Sequence, residues 1–145
     1  MNLLFQKLHP NAVLPRRATA GAAGLDLCAC LDAPVTLAPG DIRLVPTGLA
    51  AALPAGTVGL LCGRSGLGVR HGVTLANSVG VIDCDYRGEL RIALVNHGAQ
   101  PYTVQPGERC AQLLVVPVLF PDPAEARDLG QTARGAAGFG STGRA

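Results

Sequence analysis

Three short segments carry residue types that could do chemistry, and each has a bland reading beside the sharp one. Gly80-Val81-Ile82-Asp83-Cys84-Asp85-Tyr86-Arg87-Gly88 ends an apolar run in acid, thiol, acid, ring and base. Two carboxylates spaced two apart on an extended chain share a face, so one could act as general base toward water while Tyr86 forms a wall beside a substrate. A polar hairpin turn has the same composition. Gly63-Arg64-Ser65-Gly66-Leu67-Gly68 sets glycines around one Arg and one of three serines. Glycine lets backbone N-H groups converge on an anion, Ser adds a hydroxyl donor and Arg a forked set of charged donors, so phosphate is the natural guest. A glycine-rich turn with a solvated Arg fits equally well. The C-terminal stretch places Arg134, Phe139 and Ser141 among glycines, giving a tail with one cation, one ring and several bare amides. Such an arm could close over a nucleotide, the ring stacking on a base and the donors taking phosphate. A glycine-rich end is also often just a tail.

Several familiar sites are excluded. A Walker A loop needs Lys, and the only one is Lys7. Gly138-Phe139-Gly140-Ser141-Thr142-Gly143 matches the dinucleotide fingerprint in letters, but that motif opens a helix, and only Arg144 and Ala145 follow. Cys28-Ala29-Cys30 lacks the second ligand pair of a structural zinc site. The formal charge is +2, from 12 basic and 10 acidic residues that are scattered, which argues against a nucleic-acid surface. No apolar run nears the roughly 20 residues that span a bilayer, so no membrane partner is expected. Five cysteines, an odd number set mostly in apolar runs behind no signal-like N-terminus, point to reduced thiols in a cytoplasm.

The elements that must position these segments are short strands. A chain of 145 residues, 48% apolar, suffices for one core. Its 19 Gly and 11 Pro break the apolar runs into pieces, leaving little room for helix. Strands are predicted at Val35 to Leu37, Ile42 to Pro46, Val58 to Cys62, Val73 to Ala76, Val79 to Asp83, Leu90 to Asn96, Tyr102 to Gln105 and Cys110 to Val118. Pro39-Gly40, Pro54-Ala55-Gly56 and Pro106-Gly107 supply reversing turns. Alternation in Leu90-Arg91-Ile92-Ala93-Leu94 sends three aliphatics to one face and Arg91 to the other, whereas Leu113 to Val118 is apolar on both faces, as a sandwich core or subunit interface requires. The expected fold is all-β, a sandwich or distorted jelly roll over residues 1–129, with a flexible Gly-rich arm over residues 130–145.

In order, Ala22 to Leu27, Gly63 to Gly68, Gly80 to Gly88, Gly107 to Leu113 and Arg134 to Gly143 resemble the five motifs of the trimeric dUTP diphosphatases, covering nearly the whole chain. The resemblance implies a jelly-roll homotrimer whose active sites combine segments of all three subunits, the arm closing from a neighbour. It implies Mg2+-dependent hydrolysis of dUTP to dUMP and diphosphate, which limits uracil in DNA and supplies dUMP for thymidylate synthesis. Asp83 would be the general base toward water attacking the α-phosphorus, with Gln112 placing that water. Arg64, Ser65 and Gly66 would hold phosphates. Asn77 would read uracil together with the strand backbone, where Gly80 and Ile82 are substrate-contacting positions, and Tyr86 would pack under the deoxyribose and exclude a 2'-hydroxyl. Arg134 and Ser141 would grip the outer phosphates, with Phe139 stacked on the base and Gly140 beside it. Mg2+ would be held mainly by the phosphates, with Asp26 reaching it through water. Two positions depart from the pattern: Gly63 stands where the diphosphatases more often have Pro or Ala, so that Gly63-Arg64-Ser65 resembles the related dCTP deaminases instead, and Cys84 stands where a small or polar residue is expected. The competing readings are a dCTP deaminase-like enzyme and a nucleotide-binding trimer without turnover.

Overall fold

The computed structural model describes residues 2–138. Its strands are β1 (Leu4–Lys7), β2 (Leu25–Cys28), β3 (Val35–Leu37), β4 (Ile42–Ala52), β5 (Thr57–Gly63), β6 (Val73–Leu75), β7 (Val79–Ile82), β8 (Glu89–Asn96), β9 (Tyr102–Val104) and β10 (Arg109–Pro117), with one helix, α1 (Ser65–His71). Two four-stranded sheets, ordered β1-β4-β8-β6 and β2-β10-β5-β7, enclose one core, and β3-β9 forms a small third sheet. Leu27, Leu61, Ala111 and Leu113 from one large sheet meet Val45, Leu49, Leu90, Ile92 and Leu94 from the other. The connections that skip between sheets give the jelly-roll-like, all-β fold expected of the sequence.

All eight predicted strands are present, with edges moved by a few residues. The period-two reading of β8 holds: Leu90, Ile92 and Leu94 are fully buried and Arg91 faces out. The strand predicted to stop at Pro46 runs on to Ala52 because a bulge absorbs the proline. Gly48 sits in that bulge at φ 65°, where a Cβ would come within 2.9 Å of Ala12 Cβ and Cys30 Sγ. Its N-H donates to the Glu89 carboxylate at 2.8 Å. Two strands were not foreseen. β1 pairs with β4 at a sheet edge and shows little apolar alternation, and β2 has only four residues.

The segment whose bland reading was a glycine-rich turn is a helix from Ser65 onward. Seven residues are too few to be stable alone, so tertiary contacts must hold α1. Leu67 inserts into the core, and Gly72 ends the helix at φ 71°, returning its N-H to Gly68 O. Beyond Pro117 every described residue is exposed or nearly so, and no strand forms. The later half of β10 is only partly covered in a single chain, so its two-faced apolar pattern is not satisfied there.

One buried polar side chain ties the layers together. Asn96 has no exposed surface. Its Nδ2 donates to Leu37 O at 3.0 Å and Gln100 O at 2.8 Å, and its Oδ1 accepts from Gly98 N at 2.8 Å. Replacing it leaves buried carbonyls and an N-H without partners. Asn96→Ala is expected to cost about 3 kcal/mol, as three such groups at roughly 1 kcal/mol each imply. Urea denaturation at fixed protein concentration measures this.

Candidate active site

Strand β10 is the frame of the site because it is paired on both edges, to β2 and to β5. Gln112 stands opposite Asp26 on one side and Cys62 on the other. Between Arg109 and Ala111 the register to β2 slips by one residue, a bulge that lets Cys110 and Ala111 both turn into the core. Without it, the odd spacing of Arg109 and Gln112 would send them to opposite faces. With it, Arg109 reaches the carboxylate that Gln112 faces.

That carboxylate closes a ring of three residues. Arg109 Nη1 lies 3.0 Å from Asp26 Oδ2, Arg64 Nε lies 3.4 Å from Asp26 Oδ1, and Arg64 Nη1 donates to Arg109 O at 3.0 Å. The Asp26 side chain is 15% exposed and that of Arg64 28%, so solvent screens these contacts less than surface pairs. Gln112 Nε2 donates to Gly63 O at 3.2 Å. Gly24 underlies Gln112 so closely that a Cβ there would come within 2.5 Å of Gln112 Oε1. Next along the chain, Ser65 and Gly66 lie exposed on the first turn of α1. One end of the sheet thus gathers a carboxylate, two guanidiniums, an amide and a small exposed turn, which suits an anion carrying several oxygens.

The hairpin residues stand elsewhere. Asn77 is exposed in the turn between β6 and β7, next to Ser78 at φ 62°. On β7, Gly80 pairs with Leu61 and Ile82 with Gly59, so the strand runs away from Arg64. Four residue steps at about 3.3 Å put Asp83, just past Ile82, on the order of 13 Å from Val79, the partner of Cys62. The two acids do not lie on an extended strand as expected: Tyr86 N donates to Asp83 O at 3.1 Å, closing a turn. Tyr86 Oη donates to Glu89 O at 3.2 Å, and its ring covers Gly88, where a Cβ would collide with it. Arg87 Nη1 donates to Cys84 O at 2.8 Å and Tyr86 O at 2.9 Å, bracing the turn. Arg134 is exposed. Phe139, Gly140 and Ser141 lie outside the described residues.

Arg109 was not singled out from the sequence, since its part depends on a bulge that no local pattern announces. Its neighbours Cys28 and Cys110 are not acidic thiols. Burial is the main cause in both: it pushes Cys110 up to about 12 and raises Cys28. At Cys28 the charge of Asp26 adds to the rise, and burial and Asp26 together outweigh Arg109, Arg16 and Arg64. Tyr102, hydrogen-bonded to Glu108, is also raised, first by burial.

Comparison with known proteins shows the family of the chain. The dUTPase family model matches residues 10–143. The chain belongs to the dUTPase family. The deoxyuridine 5'-triphosphate nucleotidohydrolase of Anaeromyxobacter sp. (strain Fw109-5) is 56% identical over 135 residues, 93% of this chain and 90% of that one. That of Burkholderia mallei (strain SAVP1) is 56% identical over 132 residues, 90% of this chain and 89% of its own. Among solved structures, the Staphylococcus bacteriophage 80alpha dUTPase with dUPNHPP superposes with a TM-score of 0.90 at 28% identity, covering 99% of both chains. A dUTPase mutant of phage phi11 of S. aureus, whose structure describes coordination of a structural Mg(II) ion, gives 0.80 at 25% identity, covering 89% of this chain and 99% of its own.

The close approach of Gly24 to Gln112 is testable in this family frame. Gly24→Ala is expected to displace Gln112, lowering kcat about tenfold or more, as a misplacement near 1 Å does. The Tm should fall little, since the far end of Gln112 can swing aside. Steady-state kinetics with a thermal melt separates the two effects.

Proposed function

We propose that this protein hydrolyses dUTP to dUMP and diphosphate, acting on the bond beyond the α-phosphorus. The observation that carries this is the convergence of Gly24, Asp26, Arg64 and Gln112, from three separated motifs of the dUTPase family, on one sheet end. In the proposed mechanism Arg64, Ser65 and Gly66 hold phosphates and Gln112 orients the attacking water. Asp83 takes its proton. An ordinary carboxylate is a weak base at neutral pH, so positioning and charge neutralisation supply most of the acceleration. Asn77, with Gly80 and Ile82, reads uracil, and Tyr86 lies under the sugar where a 2'-hydroxyl would clash. Arg134, Phe139, Gly140 and Ser141 belong to an arm of residues 130–145 that closes on the domain of residues 1–129.

Asp83 and Arg64 sit past opposite ends of the β5–β7 ladder. One chain therefore does not present both to one phosphate group, which supports a reading in which a second copy supplies one of them. We take the assembly to be a homotrimer with shared sites. Val81 and Val79 are 63% and 44% exposed on β7, and Leu119 and Phe120 are 88% and 69% exposed beyond β10. An open apolar groove of about 740 Å3, lined in part by Leu3, Phe5, Leu25 and Val115, offers a place for such side chains. These surfaces support an interface between copies.

Mg2+ fits as a companion of the substrate. Asp26 is a single carboxylate already paired with two guanidiniums, and no group of three or more His, Cys, Asp or Glu gathers among the described residues. The phosphates and water would hold the ion, with Asp26 reaching it through water, and it would neutralise the charge that grows on the leaving diphosphate.

Incubation with Mg2+ and, separately, dUTP, dCTP, dTTP and UTP tests the reading. Diphosphate from dUTP alone supports it, and ammonia from dCTP overturns it in favour of a deaminase. Asp83→Asn is expected to keep binding of a non-hydrolysable dUTP analogue while turnover falls about 10^3-fold, within the usual range for a lost general base. Ending the chain before Arg134 is expected to lower activity at least about tenfold with the oligomer intact by light scattering. Undiminished activity would rule out the closing arm.

A further inference from the structure

Beside the ring of Asp26, Arg64 and Arg109 lies a cavity of about 290 Å3 lined by Val13, Leu14, Arg16, Arg17, Asp26 and Arg109, among others. It holds three guanidiniums against one carboxylate, an excess of two positive charges. The carboxylate is already shared between Arg64 and Arg109. Among the described residues, no hydrogen bond or ion pair engages the side chains of Arg16 or Arg17. Their backbone is fixed nonetheless: Arg16 bridges Asp26, whose N-H donates to Arg16 O at 2.9 Å. Two unspent cations on an anchored segment, facing an opening of this size, call for a compact polyanion.

The register says which one. Gln112 stands opposite Asp26 and Cys62, and Arg109 stands opposite Cys28, further along β2 and past the pairing of Ala111 with Gly63. A triphosphate whose α-phosphorus lies by Gln112 and which passes Asp26 would direct its outer two phosphates toward Arg109 and the cavity. We propose that this cavity is a subsite for the diphosphate product, held by Arg16, Arg17 and Arg109 as it leaves. The proposal rests on the hydrolase reading above and adds to it a site outside the five motifs for two of its three arginines.

Titration calorimetry of the full chain with inorganic diphosphate, and separately with dUMP, tests it on the wild type and the Arg16→Gln/Arg17→Gln double variant. Diphosphate affinity is expected to fall at least tenfold in the variant, dUMP affinity to stay unchanged, and product inhibition by diphosphate to weaken by a like factor. An Arg16→Lys/Arg17→Lys variant keeps the charge and is expected to bind diphosphate clearly more tightly than the Gln variant, which guards against misreading a folding defect. Equal diphosphate affinity in wild type and Gln variant, no binding to the wild type, or parallel loss of dUMP binding would each overturn the proposal. Diphosphate binding that follows the two arginines in a protein that leaves dUTP intact would sink the hydrolase reading while the subsite stands.

Discussion

Everything at the site depends on β10 being paired along both edges while carrying one extra residue. Pairing with β2 and β5 fixes which residues of three distant segments face one another. The bulge then breaks strict alternation once, at Cys110, so that Arg109 and Gln112 work on the same face. A strand at an edge could slip to accommodate a bulge. This one cannot, and the register error becomes a fixed feature of the site.

The charge arrangement follows from that frame. A lone Asp26 on β2 would be a half-buried carboxylate with a desolvation cost and no return. Set between two guanidiniums, it aims both, and Arg64 gains a second anchor in the Arg109 carbonyl. The three side chains are thus held in place by their own counter-charges. The bracing of the Tyr86 turn by Arg87 and the Glu89 carbonyl has the same character.

Much of this was legible in the residues and some was not. Strands with clean alternation or apolar runs, such as β8 and β10, could be found because burial on one or both faces leaves a local trace. β1 left none, since an edge strand with one half-buried side chain needs no pattern. Reading Gly63 to Gly68 as a turn failed at Ser65, where Leu67 in the core outweighs poor helix propensity. Asp26, Arg64 and Gln112 were found through motif order, and the structure brings them together. Asp83 and Asn77 were singled out by the same means, yet a single chain sets Asp83 far from Arg64, because motif order carries no information about distance in space. Arg109 was missed because its orientation comes from a long-range register slip.

The thiol of Cys28 shows what the ring of charges implies for durability. Three arginines act on it, and thiols among cations usually become thiolates that alkylating agents and peroxides attack. Here burial and the neighbouring Asp26 win, and the sulfur stays protonated. The carboxylate that aims two guanidiniums thus also quiets a nucleophile at their side. A protein so arranged can keep cysteine next to a strongly basic site without making that site a target for oxidants.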